Sequence, residues 1–296
     1  TKGVSIAKMT EYEMLSVLAE ELNMRKAAER LYVTQPALSQ RLRNIERQWG
    51  TEIFIRSKRG LVLTPAGEKI IAFVNKTLAE KEKVIDELSL MQSEVSGTLK
   101  LAVASILGQY WLPNILKLYV KKYPNVKISL TTGWSSEILH QFEEENYHIG
   151  IIRGNPDWRG MKKLLFRDDL VFVDTEIRSF AELKTTDKPF IQFKSDSTYY
   201  QEIQAWWHEN FQSPPERTIV VDHIETCKQM ALNGIGFAIL PSISLTEKDK
   251  IYKIPLRYSK GEEVSRASWI ITHETYTRLK QVKAFLDLVD SLNPKA

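Results

Sequence analysis

Val33-Thr34-Gln35-Pro36 constrains this chain more than any other stretch. Thr34 is a good N-cap, and Pro36 then falls in the first helical turn, where a missing N–H costs nothing, so a helix is expected to begin here. It is expected to run from about Gln35 to Trp49, with Leu38, Leu42, Ile45 and Trp49 on one face. The opposite face carries Gln35, Ser39, Gln40, Arg43 and Arg47. Upstream, Tyr12, Met14, Leu15, Val17, Leu18 and Leu22 recur at helical spacing and predict a first amphipathic helix. Asn23 can cap a second, short helix through Ala27, Ala28 and Leu31, whose alanines let a neighbour approach closely. Two short helices and a tight turn, the second presenting Gln, Ser and Arg, have the form of a helix-turn-helix.

Glutamine and arginine are the side chains whose paired donors and acceptors match adenine and guanine edges in the major groove of double-stranded DNA. The residues expected at that groove are Thr34, Gln35, Pro36, Ser39, Gln40 and Arg43. Glu52–Arg56 and Leu61–Thr64 read as two strands around Ser57-Lys58-Arg59-Gly60, a wing with a basic tip. Arg56, Lys58 and Arg59 are expected at the DNA backbone or minor groove. Charge agrees. Between Arg25 and Gly67 there are nine Lys or Arg against three Glu, a net of +6 on a chain whose total is +4. A short basic segment on a near-neutral body is the footprint of a phosphate-backbone binder.

The run Ala27-Ala28-x-x-Leu31-x-Val33-Thr34-Gln35-Pro36-Ala37-Leu38-Ser39, then Ile45-Glu46, Phe54-x-Arg56 and Leu63-Thr64-Pro65-Ala66-Gly67, resembles the signature of LysR-type transcriptional regulators. The eight residues before Met9 fit that pattern poorly. The resemblance implies an α/β protein with an N-terminal all-α and winged part. Its expected pieces are a winged helix-turn-helix over 1–67, a linker helix over 68–97 and a two-lobed effector domain over 98–296, similar to periplasmic binding proteins.

From Pro65 to about Ser96 one long helix is expected. Positions 71, 78, 85 and 92 hold Ile, Leu, Ile and Gln, and positions 74, 81, 88 and 95 hold Val, Lys, Leu and Val. This is a coiled-coil spacing with two polar interruptions, compatible with packing on its own domain or with self-association. The family resemblance favours pairing of two subunits, as a dimer or a tetramer.

Beyond Gly97, apolar strands at 99–103, 126–130, 149–152, 170–173, 190–193, 218–221, 237–240 and 269–272 alternate with helical stretches, predicting a mostly parallel sheet covered on both faces. By the resemblance, lobe I spans about 98–172 plus 265–296 and lobe II about 173–264. Ligands in such sheets bind beyond the carboxyl ends of the strands. There the sequence places Ser105 and Ser135 at helix starts, Arg153 and Lys194 at strand ends, and Arg266 where the chain re-enters lobe I. Two arginines with serine-bearing helix starts suit a small carboxylate, because arginine grips carboxylates bidentately. The competing expectation is that both arginines pair within the domain, with Glu143, Glu144 or Asp157. Ser105-Ile106-Leu107-Gly108-Gln109, Ile152-Arg153-Gly154-Asn155, Pro189–Phe193 and Thr226–Met230 resemble a narrower branch, the citrate-responsive catabolite control regulators of Gram-positive bacteria. His148, where many relatives of this type carry Asp, is shared with that branch. Citrate is therefore the expected effector, with another small anion or an amino-acid precursor as the alternative.

Enzyme chemistry finds little support. The five histidines show no His-x-x-x-His spacing, no Cys-x-x-Cys is present, and no nucleophile elbow or glycine-rich phosphate loop occurs, so neither a metal nor a cofactor is expected. The single cysteine, Cys227, is expected in the core rather than as a redox switch. No apolar run approaches the roughly 20 residues that span a bilayer, and no secretory signal is evident, so the cytoplasm is the expected compartment.

Overall fold

The computed structural model describes residues 10–57, 60–90, 94–144, 147–194, 198–211 and 213–292. The chain divides into two compact units at Leu88/Ser89.

In the first unit, α1 (Glu11–Glu21) opens with a capping box in which Thr10 and Glu13 satisfy each other's backbone N–H. Asn23 caps α2 (Met24–Arg30), and Thr34 caps α3 (Gln35–Trp49), as their residue types dictate. Gly50 closes α3 in the left-handed conformation that favours glycine. Met14, Leu15, Leu18, Ala27, Ala28, Leu38, Leu42 and Ile45 bury together against Ile53 and Phe54. Strands β1 (Phe54–Ser57) and β2 (Gly60–Leu63) pair antiparallel as a wing. The wing is seated on the helices by its backbone: Leu61 N–H donates to Leu22 O at 2.7 Å. A Cβ at Gly60 would stand 2.4 Å from that same oxygen, so only glycine fits there.

Helix α4 covers Pro65–Leu90, shorter than expected. Its first turns belong to the first unit's core, where Ile70, Ile71 and Val74 are buried and Leu78 packs against them. Lys81 lies 3.8 Å from Glu13. Further along, Val84, Ile85 and Leu88 are about half exposed. Val95, counted on the expected seam, is outside the helix and packs on the core of the second unit, and Gln92 lies outside the described residues. The apolar spacing thus serves two ends: intradomain packing first, an uncovered stripe afterwards.

The second unit is built on a sheet that is nine-stranded among its described residues. In lobe I, β3 (Gly97–Ala104) lies parallel to β4 (Val126–Gly133) and β5 (Ile149–Arg153). Strand β6 (Met161–Asp174) leads out of that lobe. In lobe II, β7 (Phe190–Phe193) lies parallel to β8 (Thr218–Val221) and β9 (Phe237–Pro241). There β10 (Tyr252–Pro255) pairs with β6, and β11 (Ser265–Thr272) returns to lobe I. The strand order is β4-β3-β5-β11-β6-β9-β7-β8, with β10 off that path.

The two lobes are joined by antiparallel crossing strands, a departure from the parallel expectation. Strand β6 pairs with β11 up to Asp169, and from Leu170 with β9. One strand carries the chain out of lobe I and another brings it back, so the two run in opposite directions. The changeover at 169/170 falls a few residues before the expected lobe boundary of 172/173.

Lobe I is covered by α5 (Ser105–Tyr110), α6 (Leu112–Lys122), α7 (Ser135–Glu144) and α10 (Lys280–Leu292). Lobe II is covered by α8 (Thr198–Asn210) and α9 (Ile224–Leu232). Cys227 is fully buried on α9, its thiol donating to Ile191 O, and burial pushes its pKa up to about 12. That is the inert core thiol its sequence setting suggests.

Candidate effector cleft and nucleic-acid interface

The carboxyl ends of β3, β4, β5, β7, β8 and β9 converge on one cleft of about 600 Å³ between the lobes. Four of the five residues expected there line it: Ser105, Ser135, Arg153 and Arg266. Lys194 does not. It is exposed, its backbone N–H extending the ladder to Val221 O at 2.6 Å, and its neighbour Phe193 takes the cleft side. Alternation along an extended chain turns the next side chain away.

Both serines tie strand ends together. Ser135 Oγ accepts from Arg153 N–H at 3.1 Å, and Ser105 Oγ donates to Gly133 O at 3.2 Å. They are not N-caps, since each is the first residue of its helix. The cap residue before α5, Ala104, has no side-chain oxygen to offer.

The two arginines are buried, and each has a carboxylate within the domain, though not those the sequence suggests. Arg153 Nη2 lies 2.6 Å from Asp168, with both side chains almost wholly out of solvent. Arg266 Nη1 lies 3.1 Å from Glu202, and its guanidinium stacks over the Tyr199 ring at 5.3 Å. Burial raises the pKa of Asp168 and of Glu202, against the pull of the neighbouring arginines. Arg153 Nη1 is buried without a hydrogen-bond partner among the described residues. A buried guanidinium nitrogen without a partner carries an unmet desolvation cost, which an anion reaching it from the cleft would relieve.

Lobe II supplies residues that sequence reasoning missed: Asp222, His223 and Glu225 at the start of α9, and Tyr199 from α8. The rule that points to Ser105, a strand end followed by a helix start, applies equally to Asp222-His223. Asp168 was hidden because the charged segment before Leu170 does not read as a strand, although it pairs Asp168 with Arg266 in register. Glu225 also accepts a hydrogen bond from Tyr110 of lobe I, linking the lobes beside the cleft. Tyr110 is packed on the lobe II core, and Lys228 stands 5.9 Å above its ring.

In the first unit, α3 presents Gln35, Pro36, Gln40 and Arg43 to solvent, with its cap residue Thr34 exposed beside them. Ser39, expected on the same face, is buried. Its Oγ accepts from Arg43 at 3.0 Å and also from Arg56 of the wing. Arg43 Nη2 donates to Gln40 Oε1, and Gln40 Nε2 donates to Asn44 Oδ1 at 3.3 Å. Lys58 and Arg59 lie outside the described residues.

A helix-turn-helix with a wing, followed by a two-lobed domain whose strand ends enclose a cleft, defines a ligand-responsive DNA-binding regulator. The chain belongs to the LysR family of bacterial regulators: residues 9–68 match the bacterial regulatory helix-turn-helix protein, lysR family, and residues 92–293 match the LysR substrate binding domain. It is 58% identical over 291 residues to YkuM of Bacillus subtilis (strain 168), described as an uncharacterized HTH-type transcriptional regulator, covering 97% of this chain and 99% of that protein. YraN of the same organism, described likewise, is 34% identical over 279 residues, covering 94% and 96% of the two chains. Among solved structures, full-length CbnR complexed with its target DNA superposes with a TM-score of 0.64 at 19% identity, covering 95% of this chain and 99% of that one. A full-length OxyR variant from Pseudomonas aeruginosa does so with a TM-score of 0.60 at 20% identity, covering 98% and 96%. The chain is a transcriptional regulator and not an enzyme. Among the described residues no helix is long and apolar enough to cross a membrane.

Proposed function

We propose that this regulator senses a small polycarboxylate, citrate foremost, in the cleft between its lobes. On this reading it acts in the cytoplasm as a homodimer or homotetramer and represses genes of the tricarboxylic-acid branch. The observation that carries the ligand reading is Arg153, a buried guanidinium at the cleft wall with Nη1 unpartnered among the described residues. Arg266 lines the same cleft one strand away. Two forks, each paired with a carboxylate of the domain, thus border the space that one polycarboxylate would fill by competing for them. The similarity of Ser105–Gln109 and Ile152–Asn155 to the citrate-responsive branch supports the choice among anions. The uncovered Val84, Ile85 and Leu88 on α4 support self-association.

A ligand bridging the lobes favours one angle between them, and that preference is what DNA binding would feel. A second reading, an amino-acid precursor, is favoured by Glu137, Asp222 and Glu225 on the same cleft, which suit an ammonium group. Thermal shift of the full chain with citrate, isocitrate, sulfate and O-acetylserine separates the two. Stabilisation by citrate supports the first reading, and stabilisation by O-acetylserine alone supports the second.

A further inference from the structure

Two arginines from different elements converge on one buried hydroxyl in the first unit. Arg43 comes from α3 and Arg56 from β1, and both donate to Ser39 Oγ. Ser39 is only 8% exposed, while both guanidiniums belong to exposed residues. Among the described residues neither guanidinium has a carboxylate partner. The nearby acid on α3, Glu46, is turned inward to take the N–H groups of Ile53 and Phe54 at 3.0 and 3.2 Å. Two like charges held at one oxygen repel, and no described acid relieves them. One anion placed against both would.

We propose that Arg43 and Arg56 form a single fork, hinged on Ser39, that grips one phosphate of the DNA backbone where the recognition helix meets the wing. This assignment rests on the family's DNA-binding role and adds to it a division of labour. Arg43, expected from its residue type to read a base, instead sets register. Its second nitrogen holds Gln40 Oε1, and Asn44 holds the other end of that amide, so Gln40 is fixed too. Base reading then falls to the exposed first turn, Gln35 and Pro36. Ser39 is a positioning residue, fixing the distance between helix and wing without touching DNA.

The test uses the full chain and a pool of randomised DNA duplexes. Selection gives the base preference of each variant, and salt titration on the enriched duplex gives the number of phosphates neutralised. Each neutralised phosphate contributes about 0.9 to the slope of log K against log salt. Arg43→Ala and Arg56→Ala should each weaken binding with the slope nearly unchanged, because the remaining arginine still neutralises the phosphate. The double variant should lower the slope by about 0.9, with the selected sequence unchanged. Ser39→Ala should weaken binding several-fold, and Ser39→Thr, which keeps the hydroxyl, should restore it. The fork is overturned if Arg43→Ala erases preference at one base position, if the double variant loses two phosphates, or if Ser39→Ala binds like wild type. Circular dichroism confirms that each variant is folded before it is scored.

Discussion

Arg153 and Asp168 face each other at 2.6 Å across two strands that are not neighbours, β5 and β6, with β11 running between them. Both side chains are buried, and Arg153 also lines the cleft. Asp168 therefore acts as a resident counter-anion for a cation that the effector also needs. An incoming carboxylate competes with it or shares the guanidinium.

Replacing Asp168 by Asn removes the competitor while leaving the shape. Breaking a buried pair from one side costs about 3–5 kcal/mol, so unfolding in urea should shift to lower concentration. Affinity for citrate should nevertheless rise, on the order of tenfold, because the guanidinium is released. Less stability with tighter binding is a combination that mere structural damage does not produce. Weaker binding by the folded variant in calorimetry would show that Asp168 assists the ligand.

Tyr110 of lobe I donates to Glu225 of lobe II. Tyr110→Phe removes this charge-assisted bond and should cost about 1–2 kcal/mol in chemical denaturation. Glu225→Gln should cost a similar amount, and the double variant no more than the larger single loss, because one interaction is being removed twice. Additive losses would show that the two residues act independently.

His148 makes stability depend on pH. It is 4% exposed, and burial, aided by the Lys100 cation, lowers its pKa from 6.5 to about 4. Its Nδ1 accepts from Lys100 N–H at 3.3 Å, and its ring packs on Tyr276. Below pH 6.5 the unfolded chain takes up a proton that the folded chain refuses until about pH 4. The stabilisation is complete above the unfolded value and falls as pH drops between the two, by up to about 3 kcal/mol. Denaturation at pH 5 and pH 7.5 should show a loss on acidification that shrinks by about 2 kcal/mol in His148→Gln. An equal loss in both proteins would place the proton elsewhere.

Local signals make the first unit legible. Thr10, Asn23 and Thr34 cap the helices they precede, and the alanines of α2 are buried as their size suggests. The cleft is half legible. Helix starts point to Ser105 and Ser135, a strand end to Arg153 and the chain's return into lobe I to Arg266, because these signals depend only on chain order. The rest depends on contacts far apart in sequence. Asp168 and Glu202 meet their arginines only after β6 crosses between the lobes, and no local pattern in Met161–Asp169 marks it as a strand. The burial of Ser39 likewise follows from the wing folding back onto α3.

Calorimetric titration of citrate into the full chain and its arginine variants tests the proposed ligand most directly. Arg153→Ala and Arg266→Ala remove the forks, while Arg153→Lys and Arg266→Lys keep the charge without the bidentate geometry. Wild type should bind one citrate per chain. The alanine variants, folded by circular dichroism, should give no heat, and the lysine variants should bind at least about tenfold more weakly, because a point charge does not replace a fork. No heat with wild type, or undiminished affinity in all four variants, would contradict the account and leave the cleft to a different ligand.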